Sequence, residues 1–537
     1  MSDIKNFIMI SPNFPKTYYK FAESLRKRDI NVIGLGDAYK YELEENLNSN
    51  LVEYVQCYSL ANLHDMIDAV GYLKNKYGNI DFLESNNEYW LENDSTLREW
   101  FNISSGIFHS DILKYKAKSE MKKYFEIAGV KFAKFALSDN YDDVIKLTEE
   151  VGYPIFVKPN VGVGASGTRR LKNIEDLNAF YSEKDNNQYI FEQFIDGEIF
   201  SFDGITNSKG EIIFKCAHKF LEANDLIYKD EIDDAYFTYK RIPPKLNEIG
   251  ESIVKAFNLK SRCFHIEVFK LKRSHKDLGK KGQYVALEVN MRPAGGYTPD
   301  LISYAMNVSY YDVYADMIKY DENRQDMSKE KFYAMSVSRR DKTRYKNDIG
   351  DIFKRYQSNI VMHGRYPESI RDIIWGYINH ARVKGELEDE IFKLMVLDDV
   401  FYRTLFTSLV LRDFEKSFGE FQKVFGEAGG KPTPQSNYIV QNELQKMSGM
   451  IRFVRAHTHC TDNKTLDLLD KAVQLLEMTE GRRDRRDNKS FKDLFQEVHK
   501  ELNEHLKESE LNVRKVSDKL FQEMIALAKV AAEKNEA

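Results

Sequence analysis

The octapeptide ALEVNMRP, residues 286–293, places three polar side chains within an otherwise apolar stretch. In an extended strand, side chains at i, i+2 and i+4 point to the same face, so Glu288, Asn290 and Arg292 project together. The apolar neighbours predict a buried strand, whereas a carboxylate, an amide and a guanidinium on one face require a polar ligand. The stretch therefore predicts a core strand that also carries a binding site.

A second strand, SRCFHIEVFKL at residues 261–271, places His265 and Glu267 on one face. If the two strands are antiparallel neighbours, Glu267 meets Glu288 and Asn290 at one point. Carboxylate and amide oxygens are the ligands that Mg²⁺ prefers in proteins, so the pair of strands predicts a magnesium site. His265 is interpreted as a core or supporting histidine rather than as a ligand.

A glycine-rich loop lies upstream, in GYPIFVKPNVGVGASGTRRL at residues 152–171. A predicted buried strand ends at Lys158, and Gly162, Gly164 and Gly167 follow. Glycines let backbone N–H groups approach phosphate oxygens, and a lysine adds a positive charge to them. Such a loop taken alone is also compatible with a flexible hairpin connection, and it lacks the Gly-Lys-Ser/Thr of a Walker A loop.

Composition excludes several classes of protein. A chain of 537 residues predicts several domains, and 42% hydrophobic content suffices for ordinary cores. The four cysteines form no CxxC pair, which favours neither a disulfide framework nor a zinc site. The net charge of -5 provides no basic surface for general nucleic-acid binding. With no recognisable signal peptide and no long apolar window, we expect a cytoplasmic protein that does not enter a membrane.

The first third of the chain alternates strand and helix patterns. NFIMISP and INVIGLGD are apolar and rich in strand-forming residues, and TYYKFAESLRKRD between them has helical periodicity. A strand, helix, strand unit predicts a parallel sheet. The polar loop ESNNEYW, residues 84–90, follows another strand. Ligands of open α/β sheets bind at such positions, although a turn with capping side chains is an equal alternative.

Five elements occur in a fixed order: KAKSEMKKYFEIAGV, FVKPNVGVGASG, FEQFIDGE, HIEVF and LEVNMRP. This ordered set resembles the ATP-grasp superfamily, in particular the ATP-grasp proteins similar to carbamoyl-phosphate synthase and biotin carboxylase. The resemblance covers about residues 1–375. It implies an α/β pre-ATP-grasp domain over residues 1–110 and an α+β ATP-grasp domain over residues 111–375.

The resemblance also implies roles for individual residues. Lys118, Lys158 and the glycine-rich loop would contact phosphate, Glu192 and the backbone that follows it would meet adenine, and Glu198 would hold the ribose. Glu267, Glu288 and Asn290 would bind Mg²⁺, with Mn²⁺ as an alternative ion. Arg292 and Lys158 would be the catalytic cations, and Arg292 would contact the transferred phosphoryl group or the substrate carboxylate. The complete ATP-binding set is Lys118, Lys158, Gly162, Gly164, Ser166, Gly167, Glu192, Phe194, Ile195 and Glu198.

The activity that the resemblance implies is ATP-dependent ligation. A small-molecule or peptide carboxylate would be activated as an acylphosphate, and an amine or another nucleophile would attack it. Two alternatives stay open: a phosphotransferase, and a nucleotide-gated sensor or scaffold that acts with a partner. No segment resembles a biotin-bearing hairpin. The sequence does not rank substrates, and Glu84 and Asn87 in the ESNNEYW loop, with Arg292, are candidates for the substrate side.

Beyond residue 375 the apolar pattern becomes helical, and we expect an all-α domain over residues 376–537. No family resemblance is evident there. The domain is a candidate for homo-oligomerisation or for docking a protein partner. The charged stretch GRRDRRDNK is interpreted as solvated surface rather than as an RNA site. His457, His459 and Cys460 are interpreted as a polar helix end rather than as metal ligands.

Overall fold

The structure is a computed structural model. It describes residues 5–162, 167–220, 234–340, 359–365 and 376–383, together with six helical positions at 471, 497, 500, 501, 504 and 507. Two compact units are present, and the first comprises Met1–Ser338 and Asn359–Glu386. Apart from residues 376–383 and those six positions, the expected helical domain lies outside the described residues. The architecture below is that of the first unit.

A four-stranded parallel sheet opens the chain, in the order β3-β2-β1-β4. Its parallel pairing confirms the predicted N-terminal α/β fold. Phe21 and Leu25, one turn apart on the first helix, are fully buried in a core that this sheet shares with two later helices, Thr298–Met306 and Tyr310–Tyr320. The elements are β1 Asn6–Ile10, α1 Tyr19–Arg26, β2 Asn31–Gly36, α2 Glu45–Asn48, β3 Glu53–Gln56, α3 Leu63–Tyr77, β4 Phe82–Glu84 and α4 Leu91–Trp100.

A second four-stranded sheet follows, which is antiparallel and is called the small sheet below because the third sheet is larger. Its order is β5-β8-β6-β7. Two helices cover one face, where Val157 and Phe191 pack against Phe180. Two further helices precede this sheet. The elements are α5 Leu113–Lys116, α6 Lys118–Ile127, β5 Phe135–Leu137, α7 Tyr141–Val151, β6 Ile155–Pro159, β7 Arg169–Leu171, α8 Ile174–Glu183 and β8 Tyr189–Gln193.

The largest sheet has eight strands in the order β13-β12-β9-β10-β11-β14-β16-β15. Its central strands bury phenylalanines against the helix Pro244–Phe257, which lies on one face. The elements are β9 Gly197–Thr206, β10 Ile212–Phe220, β11 Ala235–Thr238, α9 Pro244–Phe257, β12 Arg262–Leu271, β13 Tyr284–Asn290, α10 Thr298–Met306, α11 Tyr310–Tyr320, β14 Tyr333–Arg340, β15 Ile360–Arg365 and β16 Gly376–Val383.

The last strand corrects one expected boundary. We expected the helical domain to begin at residue 376, but Gly376–Val383 forms strand β16 and pairs antiparallel with β15. The large sheet therefore extends past the predicted end of its domain. The segment is a strand because β15 supplies hydrogen-bond partners, and such non-local pairing leaves no mark in local periodicity.

The link between the two antiparallel sheets positions the site. Residues 194–196 are all that separates β8 of the small sheet from β9 of the large one. Lys158 on β6 and Glu288 on β13 are close enough for each to shift the other's pKa, so side chains from the two sheets share one site. Within the described residues, no helix has the length and apolar character needed to cross a membrane.

Candidate active site

Strands β12 and β13, which carry Glu267 and Glu288, are antiparallel neighbours. In their register Glu267 lies opposite Glu288, and His265 lies opposite Asn290. Directly opposed residues on neighbouring strands have Cβ atoms about 4.5–5.5 Å apart. Two carboxylates at that separation repel each other unless a cation lies nearby. The opposed carboxylates are therefore stable together only if positive charge lies near them, at one edge of the large sheet.

The residues present fit a hard divalent cation. Asn290 is 2% exposed, and neither its amide oxygen nor its amide nitrogen makes a hydrogen bond of standard geometry, although the amide helps to lower the pKa of Glu288. Leaving a buried amide oxygen unpaired is costly, and a metal ion would satisfy it. Two carboxylates and one amide oxygen form the donor set that Mg²⁺ or Mn²⁺ prefers.

Lys118 joins this site from the start of helix α6. Its ammonium donates to the carbonyl of Gly162 at 3.2 Å and lies 3.9 Å from Glu288 Oε2. Asn160, which follows β6, accepts from the backbone N–H of Ser119 at 2.9 Å and so fixes the helix end against the glycine-rich loop. Burial opposes the charge on Glu288, but Lys118 and Lys158 outweigh it and lower its pKa. Glu288 is accordingly an ionised carboxylate.

Lys158 and Glu192 form the second cluster, across strands β6 and β8. Glu192 Oε2 lies 2.6 Å from the ammonium of Lys158, and Oε1 lies 2.5 Å from that of Lys122. Burial opposes the ionisation of Glu192, but the two lysines outweigh it and lower its pKa to about 2. Burial lowers the pKa of Lys122, and the attraction of Glu192 offsets part of that effect. Glu192 thus holds two cations at the junction of the two sheets.

Lys122 was missed by the sequence analysis. It lies four residues after Lys118 and therefore on the same face of helix α6, a spacing that could have identified it. Its side chain is 2% exposed, so this lysine is buried among the site residues rather than solvated. The helix thus contributes two cations to the site.

The residues expected to meet the nucleotide's base and sugar lie near the link between the sheets. The ring of Phe194 stacks on Phe156 with centroids 6.1 Å apart, and Ile195 is buried. Glu198 stands at the start of β9 and pairs with Lys219 at 3.1 Å. Gly167 has a φ of +73° and packs close to Pro159, as a tight loop requires. Gly164 and Ser166, expected to contact phosphate, lie outside the described residues.

Arg292 connects the large sheet with the N-terminal domain. Its Nε donates to Glu88 Oε2 at 3.1 Å, and one terminal nitrogen donates to the carbonyl of Pro293. Burial raises the pKa of Glu88, Arg292 opposes that rise, and Glu288 adds to it. Arg292 is therefore held beside the opposed carboxylates by a residue of the ESNNEYW loop.

Two other residues of that loop have partners other than the site residues. Glu84 is buried, and its carboxylate accepts from Arg98 at 3.3 Å and from Arg262 at 3.0 Å. Asn87 accepts from the backbone N–H of Tyr89 at 3.0 Å, which is the capping turn given above as the alternative. The physical reason is that a buried carboxylate requires cationic partners, and two arginines supply them here. Of the loop's carboxylates, Glu88 reaches the site.

His265 is a supporting residue. Its Nε2 lies 3.0 Å from Glu267 Oε1, and its Nδ1 lies 2.5 Å from Asp203 Oδ1. Burial opposes the charge on the ring, but Asp203 outweighs it, with help from Glu267, and raises the pKa of His265 to about 10. The imidazolium therefore donates a hydrogen bond to each carboxylate at neutral pH.

Taken together, the site sets two lysines and an arginine beside two opposed carboxylates, between two antiparallel sheets. Such an arrangement can hold a polyphosphate with a divalent cation and stabilise negative charge that develops on a phosphoryl group. Gly162, at the described start of the glycine-rich loop, accepts from one of these lysines, Lys118. Comparison with known proteins agrees with a nucleotide-binding site of this kind. Residues 151–300 match the family model described as the ATP-grasp domain.

The chain contains an ATP-grasp domain. The matched segment holds Lys158, Glu192 and the acidic strand pair with Arg292, whereas Lys118 and Lys122 lie just before it. An L-arginine-specific L-amino acid ligase of Bacillus subtilis is 26% identical over 247 residues, which are 44% of this chain and 57% of that protein. The match therefore spans a little more than half the length of this curated relative.

Solved structures show the same fold. The L-amino acid ligase from Bacillus licheniformis aligns with a TM-score of 0.54 and 16% identity, over 72% of this chain and 95% of its own. The N5-carboxyaminoimidazole synthetase from Staphylococcus aureus, complexed with ADP, aligns with a TM-score of 0.55 and 17% identity, over 74% and 98%. Both alignments extend well beyond the matched segment, so the ATP-grasp fold includes the N-terminal α/β domain.

Proposed function

We propose that this chain is an ATP-dependent ligase that activates a carboxylate and joins it to an amine. The observation that carries the proposal is the convergence of Lys118, Lys158 and Arg292 on the opposed carboxylates Glu267 and Glu288. A site that only bound ATP would not require an arginine on the far side of the carboxylate pair. Arg292 pairs with Glu88 of the N-terminal domain, and this contact supports a second, anionic reactant on that side of the site.

The residues fit a magnesium-bound ATP, with Glu267, Glu288 and Asn290 as the metal ligands. The bound ion would neutralise phosphate charge and orient the reacting phosphoryl group. Lys158 and Lys118 would hold the phosphates of ATP, and Glu192 would keep Lys158 in place. Arg292 would stabilise the charge that develops on the transferred group or bind the substrate carboxylate.

Two steps complete the reaction. A carboxylate oxygen of the substrate attacks the γ-phosphorus, the bond from that phosphorus to the bridging oxygen breaks, and ADP leaves. The nitrogen of the amine then attacks the acyl carbon, the bond from that carbon to the phosphate oxygen breaks, and inorganic phosphate leaves. The amine releases a proton to water, and an amide forms. The chain's contribution is the alignment of the reactants and the cationic surroundings.

We place the substrate side at Glu88 and Arg292. Glu88 is a carboxylate already bound to the guanidinium at 3.1 Å, so the position suits a carboxylate chemically. A substrate carboxylate would take over this contact. Glu88→Gln should therefore change the Michaelis constant of the substrate while leaving the affinity for ADP unaltered. Asn87→Ala serves as the control within the same loop, because Asn87 caps a turn.

Amino acids are the first substrates to test. The curated relative is named as an L-arginine-specific L-amino acid ligase, and one structural relative is named as an L-amino acid ligase. The purified full chain is incubated with ATP, Mg²⁺ and pooled amino acids or small carboxylates, and ADP and inorganic phosphate are measured separately. Glu288→Gln removes a proposed metal ligand. Glu183→Gln, on an exposed surface pair with Arg169, is the matched control.

The products separate the candidate reactions. A ligase releases ADP and phosphate in equal amounts, depends on one pool and on Glu288, and forms a hydroxamate when hydroxylamine replaces the amine. ADP without free phosphate, together with a phosphorylated product, would replace ligation by phosphoryl transfer. ATP binding with no turnover in any pool would contradict a small-molecule ligase and favour a nucleotide-gated role.

We further propose that the chain is cytoplasmic, and that the residues after β16 form a helical domain for self-association or for docking a protein partner. The periodicity of ELEDEIFKLMVLDDVFYRTLF and of later segments supports helices. The described cysteines Cys57, Cys216 and Cys263 are buried free thiols, as in a reducing compartment. Sedimentation equilibrium of the full chain tests self-association. A mass above the 62.8 kDa of one chain supports it, and the monomer mass contradicts it.

A further inference from the structure

Two rows of polar side chains cross four neighbouring strands on one face of the large sheet. Strand register sets each row, since β10, β9, β12 and β13 are adjacent and antiparallel. The array begins in the core and ends at the two carboxylates of the proposed metal site. The first row is Cys216, Asp203, His265 and Asn290. The second row, displaced by two residues along each strand, is His218, Ser201, Glu267 and Glu288.

Within this array, His265 fixes Glu267. Its Nε2 lies 3.0 Å from Glu267 Oε1, and its Nδ1 lies 2.5 Å from Asp203 Oδ1. Each ring nitrogen thus lies within hydrogen-bond distance of a carboxylate oxygen, and the ring bridges Asp203 and Glu267. Contacts on both sides prevent the ring from turning, and the ring in turn determines where the Glu267 carboxylate lies.

Asp203 is itself held from the opposite side. Its Oδ2 accepts from the hydroxyl of Ser201 and from His218 Nδ1, the latter at 2.9 Å. Its Oδ1 is thereby directed to His265. Asp203 is 1% exposed, and burying a carboxylate costs several kcal/mol unless it is paired. A sheet core filled with apolar side chains would avoid that cost.

The metal site explains why the cost is tolerated. Glu267 opposes Glu288 in register, so the two carboxylates repel each other when no cation lies between them. An unrestrained glutamate would rotate away into solvent, and binding a metal would then require it to lose that freedom. Glu288 is steadied by Lys118 at 3.9 Å, and Glu267 is steadied by His265.

We propose that Asp203 and His265 form a positioning pair that orients the Glu267 carboxylate toward the metal. This inference rests on the proposed function, in which Glu267 is a metal ligand. The pair contacts neither ATP nor substrate. It acts through Glu267, as residues behind metal ligands commonly do.

The test is Mn²⁺ binding by the purified full chain, followed by electron paramagnetic resonance in the presence of a non-hydrolysable ATP analogue. His265→Asn keeps a donor near Asp203 but is too short to reach Glu267. Asp203→Asn removes the charge that holds the ring. Each variant should raise the Mn²⁺ dissociation constant about 10-fold to 100-fold, the range for residues behind metal ligands. His265→Gln, whose amide reaches farther along the strand toward Glu267, should recover part of the affinity.

His218→Asn is the matched control. His218 is as buried as His265 and also touches Asp203, but its contacts are with Asp203 and Ser201 rather than with Glu267. Asparagine at 218 keeps a donor near Asp203 Oδ2, as asparagine at 265 does for Oδ1, so Asp203 stays in place. His218→Asn should therefore lower the melting temperature, as the His265 variants should, while leaving the Mn²⁺ dissociation constant unchanged. Equal weakening of Mn²⁺ binding by His218→Asn and His265→Asn would overturn the positioning role in favour of general destabilisation. The positioning role would also be overturned if His265→Asn bound Mn²⁺ with the affinity of the wild type.

Glu267→Gln separates this inference from the proposed function. If Glu267→Gln binds Mn²⁺ as tightly as the wild type, the proposed metal site itself is wrong. If Glu267→Gln loses Mn²⁺ and His265→Asn does not, the metal site stands and the positioning pair is refuted. Should Asp203→Asn fail to fold, the contrast between His265→Asn and His265→Gln still decides the question.

Discussion

Replacing Glu192 by glutamine tests the electrostatic junction between the two antiparallel sheets. The substitution keeps the shape of the side chain and removes its charge. It leaves the ammonium groups of Lys122 and Lys158 close together without their shared carboxylate. Removing one partner from a buried ion pair is strongly destabilising, because the remaining charge has lost its solvation and its partner.

The loss of folding free energy in Glu192→Gln can be calculated from the shift in the pKa of Glu192. Burial opposes the charge on Glu192, yet the two lysines lower its pKa from 4.5 to about 2. At about 1.4 kcal/mol per pKa unit, the ionised carboxylate stabilises the folded state by about 3 kcal/mol at neutral pH. The unfolding entropy is about 2.1 cal/mol/K per residue, so a loss of that size lowers the melting temperature of the first unit by about 4 °C.

The pH dependence gives a second, independent check. The folded pKa of Glu192 lies below its unfolded value, so its stabilisation is fully present above about pH 4.5 and is lost as the pH falls toward 2. The difference in melting temperature between wild type and Glu192→Gln should be constant from pH 8 to pH 5. It should become smaller between pH 4.5 and pH 3.

Thermal unfolding followed by circular dichroism measures both effects. Glu183→Gln is the matched control, since Glu183 is 58% exposed and pairs with Arg169 on the surface. Surface ion pairs contribute about 0–1 kcal/mol, so the control should melt within about 1 °C of the wild type. If Glu192→Gln melts with the control at pH 7, or if its deficit is the same at pH 3, the assignment of Glu192 as the shared anion is refuted.

Three further predictions concern packing, the buried arginine and the phosphate site. Gly250→Ala should destabilise by about 1–3 kcal/mol in thermal unfolding, because an added methyl group would overlap the ring of Phe202, whereas Gly71→Ala in helix α3 would meet its nearest neighbour, Phe101, at an ordinary contact distance of 3.9 Å. Arg98→Met should cost about 3–5 kcal/mol in urea unfolding, because it leaves Glu84 with one of its two cations and two buried carbonyls without a donor; a cost below 1 kcal/mol would contradict the buried network. Lys158→Met should weaken ADP binding about 10-fold to 100-fold by calorimetry, the worth of one charge-assisted hydrogen bond, while the exposed Lys146→Met should bind normally.

The local order of apolar and polar residues was enough to predict much of the fold. Alternating apolar residues around Glu267 and Glu288 were enough to predict two strands with polar side chains on one face. The strand, helix, strand unit at the start of the chain was enough to predict a parallel sheet, which the structure confirms. Periodicity predicts these elements because each has a buried face. Apolar residues therefore recur along the sequence at the spacing of the buried face.

Long-range partners were the part that local pattern could not supply. Glu84 ends strand β4, and Glu88, with the same side chain, lies four residues later in the loop that follows. Burial between Arg98 and Arg262 makes the first a structural anion, and contact with Arg292 makes the second a site residue. The arginines that decide this come from distant parts of the chain, so no local window contains the information.

The sequence by itself determined which chemistry this protein could carry. The residue types and their spacing placed carboxylates on one face of two strands, with lysines and an arginine on neighbouring elements. Only the tertiary structure decided how they combine, because charges interact through space and their energies depend on burial. The register of β12 against β13 opposed Glu267 to Glu288, the packing of α6 brought Lys122 to Glu192, and strand β9 placed Asp203 behind His265. These contacts join residues up to 70 positions apart in the chain, since only folding brings them within hydrogen-bonding distance.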